Sequence, residues 1–210
     1  MSRGLFITFE GNDGSGKTTI SELVFKQLTQ KGFSCILTRE PGGIDIAEQI
    51  RHIILDPANS AMDARTEALL YAASRRQHLV ERVIPALDEG KIVICDRFID
   101  SSLAYQGMGR QIGMEEIFQM NQFATEGLMP DATIFLEVSE AVSRQRLAQR
   151  GSLDRMDQES EAFHQRVRRG YALVRQRYSE RMRVIDADQE LEQVLQAAMR
   201  AVMEIVDEHH

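Results

Sequence analysis

The stretch Gly11 to Thr19, GNDGSGKTT, fits the pattern G-x-x-x-x-G-K-[ST] through Gly11, Gly16, Lys17 and Thr18. Glycines allow successive backbone N–H groups to turn inward on phosphate oxygens with no Cβ in the way. Lys17 adds a charge for the outer phosphates and Thr18 a hydroxyl for Mg²⁺. The pattern has meaning only in its setting. An apolar, β-prone run, LFITFE, precedes it, and TTISELVFKQLTQKG follows with helical spacing through Ile20, Leu23, Val24 and Leu28. Strand, loop and helix are the required context for a phosphate-binding loop. The plainer alternative is a glycine-rich turn before a helix, and the loop does not say what receives the phosphate.

Other chemistry-bearing residues fall where strands end. FSCILTRE reads as a second strand closing on Arg39, Glu40 and then Pro41-Gly42-Gly43. Residues just beyond the carboxyl ends of parallel strands line the ligand crevice, which places Arg39 for an anion. KIVICDRF is a near-continuous apolar strand ending in Asp96-Arg97; four hydrophobic residues and an acid are the second signature of phosphate-loop proteins, its carboxylate facing Mg²⁺ directly or through water. In the helical stretch from about Asp63, Tyr71, Arg75 and His78 share one face and suit a flat, polar-edged ring, although periodicity alone also fits Tyr71 as core. IDSSLAYQGMGRQIG carries Ser101, Ser102, Tyr105 and Gln106, either as hydrogen-bonding groups for a small ligand or as a helix start followed by a loop.

The elements that position these groups alternate. Further strands are read in PDATIFLEV and RVIDA. Helices are expected over Ile44 to Leu55, from about Asp63 with a kink at Pro85, over Met114 to Gly127, after a Ser139 cap, through an Arg-rich run to about Arg183, and in ELEQVLQAAMRAVMEIV. RGSLDRMDQESEAF interrupts the helical pattern with the composition of a mobile cover, a short lid at approximately 149–158. Five apolar strands between helices predict an α/β fold, a doubly wound parallel sheet with helices on both faces. Analogy with phosphate-loop kinases gives the strand order 2-3-1-4-5.

The chain has 210 residues, enough for one domain, and no Pro/Gly/Ser-rich linker divides it. It contains no apolar run long enough to cross a bilayer and opens directly into a strand, so a soluble, cytoplasmic protein is expected. Cys35 and Cys95 sit in strand-like runs without metal spacing and read as buried thiols. A net charge of −7 argues against a general nucleic-acid coat, but eleven arginines stand against five acids between Arg144 and Arg183. Such a run is either a solvated helical face or a source of phosphate contacts. His209 and His210 are assigned no role.

FEGNDGSGKTT, TREPGG, EALLYAASRRQH, CDRFIDSSLAYQG and RGSLDRMDQE occur in the order and spacing of the bacterial thymidylate kinase family, and the resemblance runs from about Leu5 to the C-terminal helix. It implies a phosphate-loop NTPase fold and transfer of the γ-phosphoryl of ATP to dTMP, with Mg²⁺. Gly11, Asn12, Asp13, Gly14, Ser15, Gly16, Lys17, Thr18 and Thr19 then bind ATP, and Thr18 and Asp96 position the metal. Asp13 matches a carboxylate near the sugar and the two phosphates, and Arg39 and Arg97 match arginines that grip the dTMP phosphate. Tyr71 matches an aromatic, usually Phe, that stacks on thymine, Arg75 a residue at the base edge, and Ser102, Tyr105 and Gln106 positions around base and deoxyribose. Some members carry an arginine where this loop has Gly14; members resembling this chain supply that charge from the lid, which points to Arg155 and Arg150. A homodimer is expected from the family alone.

Three other readings compete: a nucleoside or nucleotide kinase with a different acceptor, a nucleotide-controlled switch, and a nucleic-acid binder working through the Arg-rich run. TREPGG and SSLAYQ speak against the first, and the absence of an NKxD motif against the second.

Overall fold

The computed structural model describes residues 3–149 and 154–209. Five strands, β1 (Phe6–Glu10), β2 (Cys35–Arg39), β3 (Ile92–Asp96), β4 (Ala132–Glu137) and β5 (Met182–Asp186), form a parallel sheet in the order β2-β3-β1-β4-β5. The helices are α1 (Lys17–Gln30), α2 (Asp45–Leu55), α3 (Ala64–His78), α4 (Ile84–Asp88), α5 (Ile99–Ser102), α6 (Met114–Thr125), α7 (Glu140–Ala148), α8 (Glu161–Arg177) and α9 (Leu191–His209). Both the expected fold class and the strand order are observed.

The central strands β1 and β3 are buried along their whole length, as parallel strands covered on both faces must be. Side chains alternate between the faces. Ile7 and Phe9 of β1 join Ile92 and Ile94 of β3 in the core beneath α1 and α9, whereas Phe6, Val93 and Cys95 join the core beneath α3, α5 and α8. The same alternation aims Asp96 at the α1 side and Glu10 at the α8 side. In the β2–β3 register Arg39 pairs with Asp96, so the two lie level at the carboxyl end of the sheet.

Three elements differ from the expected pattern. The stretch after α5 is not a loop: a π-helical segment, Leu103–Gly109, continues it. α3 does not simply kink at Pro85; a π-helical turn, Leu79–Val83, takes up the change of register and leaves Pro85 in the first turn of α4, where its missing N–H is not needed. The Arg-rich helix ends at Arg177 rather than near Arg183, because a short 3₁₀ turn at Ser179–Arg181 swings Arg181 inward onto the buried carboxylate of Asp100 at 2.6 Å. Cys35 and Cys95 are both free thiols, Cys95 buried and Cys35 only half-buried.

α8 lies close against the segment Leu103–Gly109. A Cβ on Gly170 would stand 2.9 Å from Ala104 Cα and 3.0 Å from Met108 Cβ. Gly170→Ala should therefore cost about 1–3 kcal/mol by overpacking and lower Tm by several degrees; an unchanged Tm in thermal unfolding would show that this contact yields freely.

Candidate functional site

The phosphate loop leaves β1 at Gly11 and enters α1 at Gly16. Gly11 and Gly14 have φ of 145° and 78°. A Cβ on Gly11 would fall 2.5 Å from the Leu136 carbonyl oxygen, and one on Gly14 2.8 Å from that of Ser143 on α7. The bare backbone at position 14 thus follows from contact with α7, which also donates from Ser143 Oγ to the Asp13 carbonyl at 2.7 Å. Among the described residues no side chain caps α1, so its first-turn N–H groups keep their capacity for an anion. Lys17 Nζ donates to the Asn12 carbonyl at 2.9 Å, and burial, with Arg97 nearby, pulls its pKa down to about 8. A phosphate arriving there would restore the full charge. Ser15 is buried, and Thr19 is exposed on the first turn of α1.

Thr18 Oγ1 donates to Asp96 Oδ2 at 2.5 Å, while Asp96 Oδ1 is buried with no hydrogen-bond partner among the described residues. A hydroxyl and a carboxylate beside a phosphate loop are hard oxygen donors, the kind Mg²⁺ takes together with phosphates and waters. Among the described residues no group of three or more His, Cys, Asp or Glu side chains could hold a metal.

Arg97 is the hub. It has φ of 69°, a left-handed conformation that costs a residue with a Cβ about 1–2 kcal/mol, and its N–H is fixed on the Phe9 carbonyl at 2.9 Å. NH2 donates to Asp13 Oδ1, and NH1 donates to Ser101 Oγ and Tyr171 OH at 3.0 Å each. Tyr105 OH donates to Asp13 Oδ2 at 2.6 Å, and the Arg97 guanidinium lies 5.2 Å from the Tyr105 ring centroid. Burial opposes the charge on Arg97, but Tyr105, Asp13, Tyr171 and Glu10 more than offset it.

Behind Arg97 lies Glu10, fully buried. Its carboxylate accepts from Phe98 N at 2.8 Å, Ser101 Oγ at 2.7 Å and Tyr171 OH at 3.0 Å. Burial and the neighbouring Asp100 carboxylate push its pKa up to about 7.

A cleft of about 180 Å³ opens from the loop between α2, α3 and the residues following β3. Lys17, Thr18 and Asp13 line it on one side, Arg39, Arg97, Tyr71, Arg75, Ser102, Tyr105 and Gln106 elsewhere. Arg39 is exposed and paired with Glu48 at 2.6 Å. Arg75 is fully buried: Nε donates to Glu40 at 2.7 Å, NH1 donates to Ser102 Oγ at 3.1 Å and to Asn121, and the guanidinium stacks 5.1 Å from the Phe98 ring centroid. Tyr71 is half-buried, and burial pushes its phenol pKa up. His78, on the same helical face, is buried behind the lining residue Glu40, bonded to it at 2.9 Å and to Thr38 at 2.6 Å.

Of the two lid arginines, Arg155 is among the described residues. Arg155 does not reach the loop; it is buried, with Nε on the Ile54 carbonyl at 2.7 Å and NH2 on Glu67 at 2.6 Å. The reason is that Glu67 is fully buried and draws the guanidinium to α3. Arg150 lies outside the described residues. Sequence reasoning also missed Glu10, Glu40, Glu67 and Tyr171. Glu10 had a signal, an acid ending a mostly apolar strand; the other three are ordinary helix and turn residues until the fold brings them together.

A glycine-rich loop between β1 and α1, a carboxylate level with it on β3, and a cationic cleft at the carboxyl ends of the strands define a phosphate-loop nucleotide kinase. The family model described as thymidylate kinase matches residues 9–198. The thymidylate kinase of Bacillus licheniformis is 53% identical over 208 residues, covering 98% of each chain, and that of Clostridium novyi 52% over 198 residues, covering 93% of this chain and 97% of its own. The crystal structure of thymidylate kinase from Ehrlichia chaffeensis superposes with a TM-score of 0.78 at 34% identity, over 96% of this chain and 99% of that one. The chain belongs to the thymidylate kinase family.

The raised pKa of Glu10 sets a pH dependence. Below about pH 4.5 the carboxyl is protonated folded or unfolded; from there to about 7 only the folded state keeps the proton. The stability this proton confers, about 3 kcal/mol at most, is lost as pH rises through that window. Asp100, Arg97, Lys17 and Tyr171 face the group; burial and Asp100 raise its pKa, against the lowering by Arg97 and the hydrogen bonds from Ser101 and Phe98. Glu10→Gln cannot ionise, so its Tm should gain on the parent's between pH 5 and pH 8; a gap that does not change with pH would show that Glu10 titrates as an ordinary glutamate.

Proposed function

We propose that the cleft is the acceptor site of an ATP-dependent dTMP kinase, with the phosphate loop holding the donor and transfer taking place between Lys17 and Arg97. The observation that carries this reading is one cleft lined both by Lys17 and Thr18 of the phosphate loop and α1 and by Tyr71 and Arg75 of α3. Two anions must meet there in line, and an acceptor phosphate oxygen needs no base to become a nucleophile, so the protein's task is positioning and charge neutralisation. The loop amides from Gly11 to Thr19 and Lys17 hold the ATP phosphates. Arg39 and Arg97 hold the acceptor phosphate, with Arg39 leaving Glu48 to do so. Asp13 fixes Arg97 and Tyr105 between donor and acceptor. Tyr71 stacks on the base, Arg75 meets its edge, and Ser102, Tyr105 and Gln106 surround base and deoxyribose. Thr18 and Asp96 would hold Mg²⁺, which when bound screens the phosphate charges.

A nucleic-acid-binding alternative loses support from the arginine-rich run. Arg144, Arg168, Arg175, Arg177 and Arg183 each face a glutamate, and Arg181 faces Asp100. No helix among the described residues is long and apolar enough to cross a membrane; the proposed setting is the cytoplasm.

The proposed assembly is a homodimer. α2 packs on α3 and α3 on α6, and their outer faces leave Ile46, Ile53, Leu69 and Phe123 exposed, Phe123 at 90%. A second copy of the same face would cover them. Phe123→Asp should shift the mass in light scattering from dimer toward monomer; an unchanged mass would exclude this face.

The reading is tested by turnover of ATP with dTMP, dUMP, CMP and thymidine, and by Arg97→Ala. dTMP should have the highest kcat/KM. The variant should lose roughly 10²–10³-fold in kcat/KM for dTMP, the scale for removing one donor to transferring charge. No preference for dTMP, or near-normal turnover by Arg97→Ala, would overturn the substrate or the role respectively.

A further inference from the structure

Glu67 lies on α3 one turn before Tyr71, fully buried, and gathers three groups from separate parts of the chain. Gln106 Nε2 donates to its Oε1 at 2.8 Å. Arg110 donates from NH2 to Oε2 at 2.8 Å and from Nε to both oxygens at 3.1 Å, and Arg155 NH2 donates to Oε2 at 2.6 Å. Burial raises the cost of this carboxylate, but the two guanidinium groups and the amide more than offset it and hold its pKa below the usual range. An ionised carboxylate only accepts hydrogen bonds. The amide of Gln106 must therefore turn its NH₂ toward Glu67, which leaves Oε1 directed away from it. Gln106 lines the cleft, and its Oε1 has no hydrogen-bond partner among the described residues.

We propose that Glu67 is a positioning residue for base selection: by orienting Gln106, it presents the cleft with a carbonyl acceptor and favours a pyrimidine whose ring nitrogen carries a hydrogen. This rests on reading the cleft as the dTMP site. Thymine has an N–H at ring position 3, whereas cytosine has a lone pair there, which would meet the lone pairs of Oε1. Rejection by an unmatched buried polar group is the stronger form of specificity.

The test compares kcat/KM for dTMP and dCMP in the parent, Glu67→Gln, Glu67→Asp, Gln106→Leu and the double variant Glu67→Gln/Gln106→Leu. In Glu67→Gln the new amide can donate to Gln106 and let it flip, so the dTMP-to-dCMP ratio should fall about tenfold or more. Because Glu67 acts through Gln106, the double variant should lose no more selectivity than Gln106→Leu alone. If Glu67→Gln does not fold, Glu67→Asp keeps the charge for both arginines while drawing the oxygens back from Gln106, and its ratio should also fall. A ratio unchanged in a folded Glu67 variant, or additive losses in the double variant, would overturn the proposal. A parent that does not turn over dTMP would instead sink the reading of the cleft, which separates the two failures.

Discussion

The interaction on which the site depends is the enclosure of Arg97 between Asp13 and Glu10. The guanidinium is drawn from both sides, by the phosphate loop through Asp13 and by the end of β1 through Ser101 and Tyr171. A left-handed backbone at a residue with a Cβ persists only where the surroundings over-determine it, and here the loop, β1, α5 and α8 all contribute contacts. Removing either partner of the Arg97–Asp13 pair leaves the other, largely buried, without its nearest counterpart, which is costlier than the absence of the pair.

The same economy of charge governs the rest of the cleft wall. Glu40 holds Arg75 and His78, and Glu67 holds Arg110 and Arg155. Arg75, Arg110 and Arg155 are thus each fixed by a buried carboxylate, whereas Arg39 pairs with the part-exposed Glu48 and Lys17 with the Asn12 carbonyl. The arrangement also accounts for a chain of net charge −7 with a strongly cationic segment: Arg175, Arg177 and Arg181 meet Glu137, Glu115 and Asp100 from other parts of the chain, and Arg144 and Arg168 pair with Glu140 and Glu161, so much of the local excess is neutralised.

Much of the fold was legible because its determinants are local and periodic. Apolar runs of five or six residues between helical repeats specify buried parallel strands, and Gly11 to Thr18 marks the turn from β1 into α1. Helix ends were less legible. The π-helical segments at Leu79–Val83 and Leu103–Gly109 have no sequence period of their own and are set by packing, the second by α8 at Gly170. The early end of α8 depends on Arg181 meeting Asp100, 81 positions away, which no local pattern records.

Residue types and spacing by themselves determined the phosphate loop, the Thr18 and Asp96 oxygen pair, the cationic strand ends at Arg39 and Arg97 and the order of the elements, because each depends on near neighbours or on the rule that ligands gather at the carboxyl ends of parallel strands. Only the tertiary structure decided where the remaining charges go. Arg155 is turned onto the buried Glu67; Glu10 could have been a surface acid at a strand end, and it is buried behind Arg97. Coulombic partners far apart in the chain are chosen by three-dimensional proximity and burial, and in a low-dielectric interior that choice carries more free energy than any local preference.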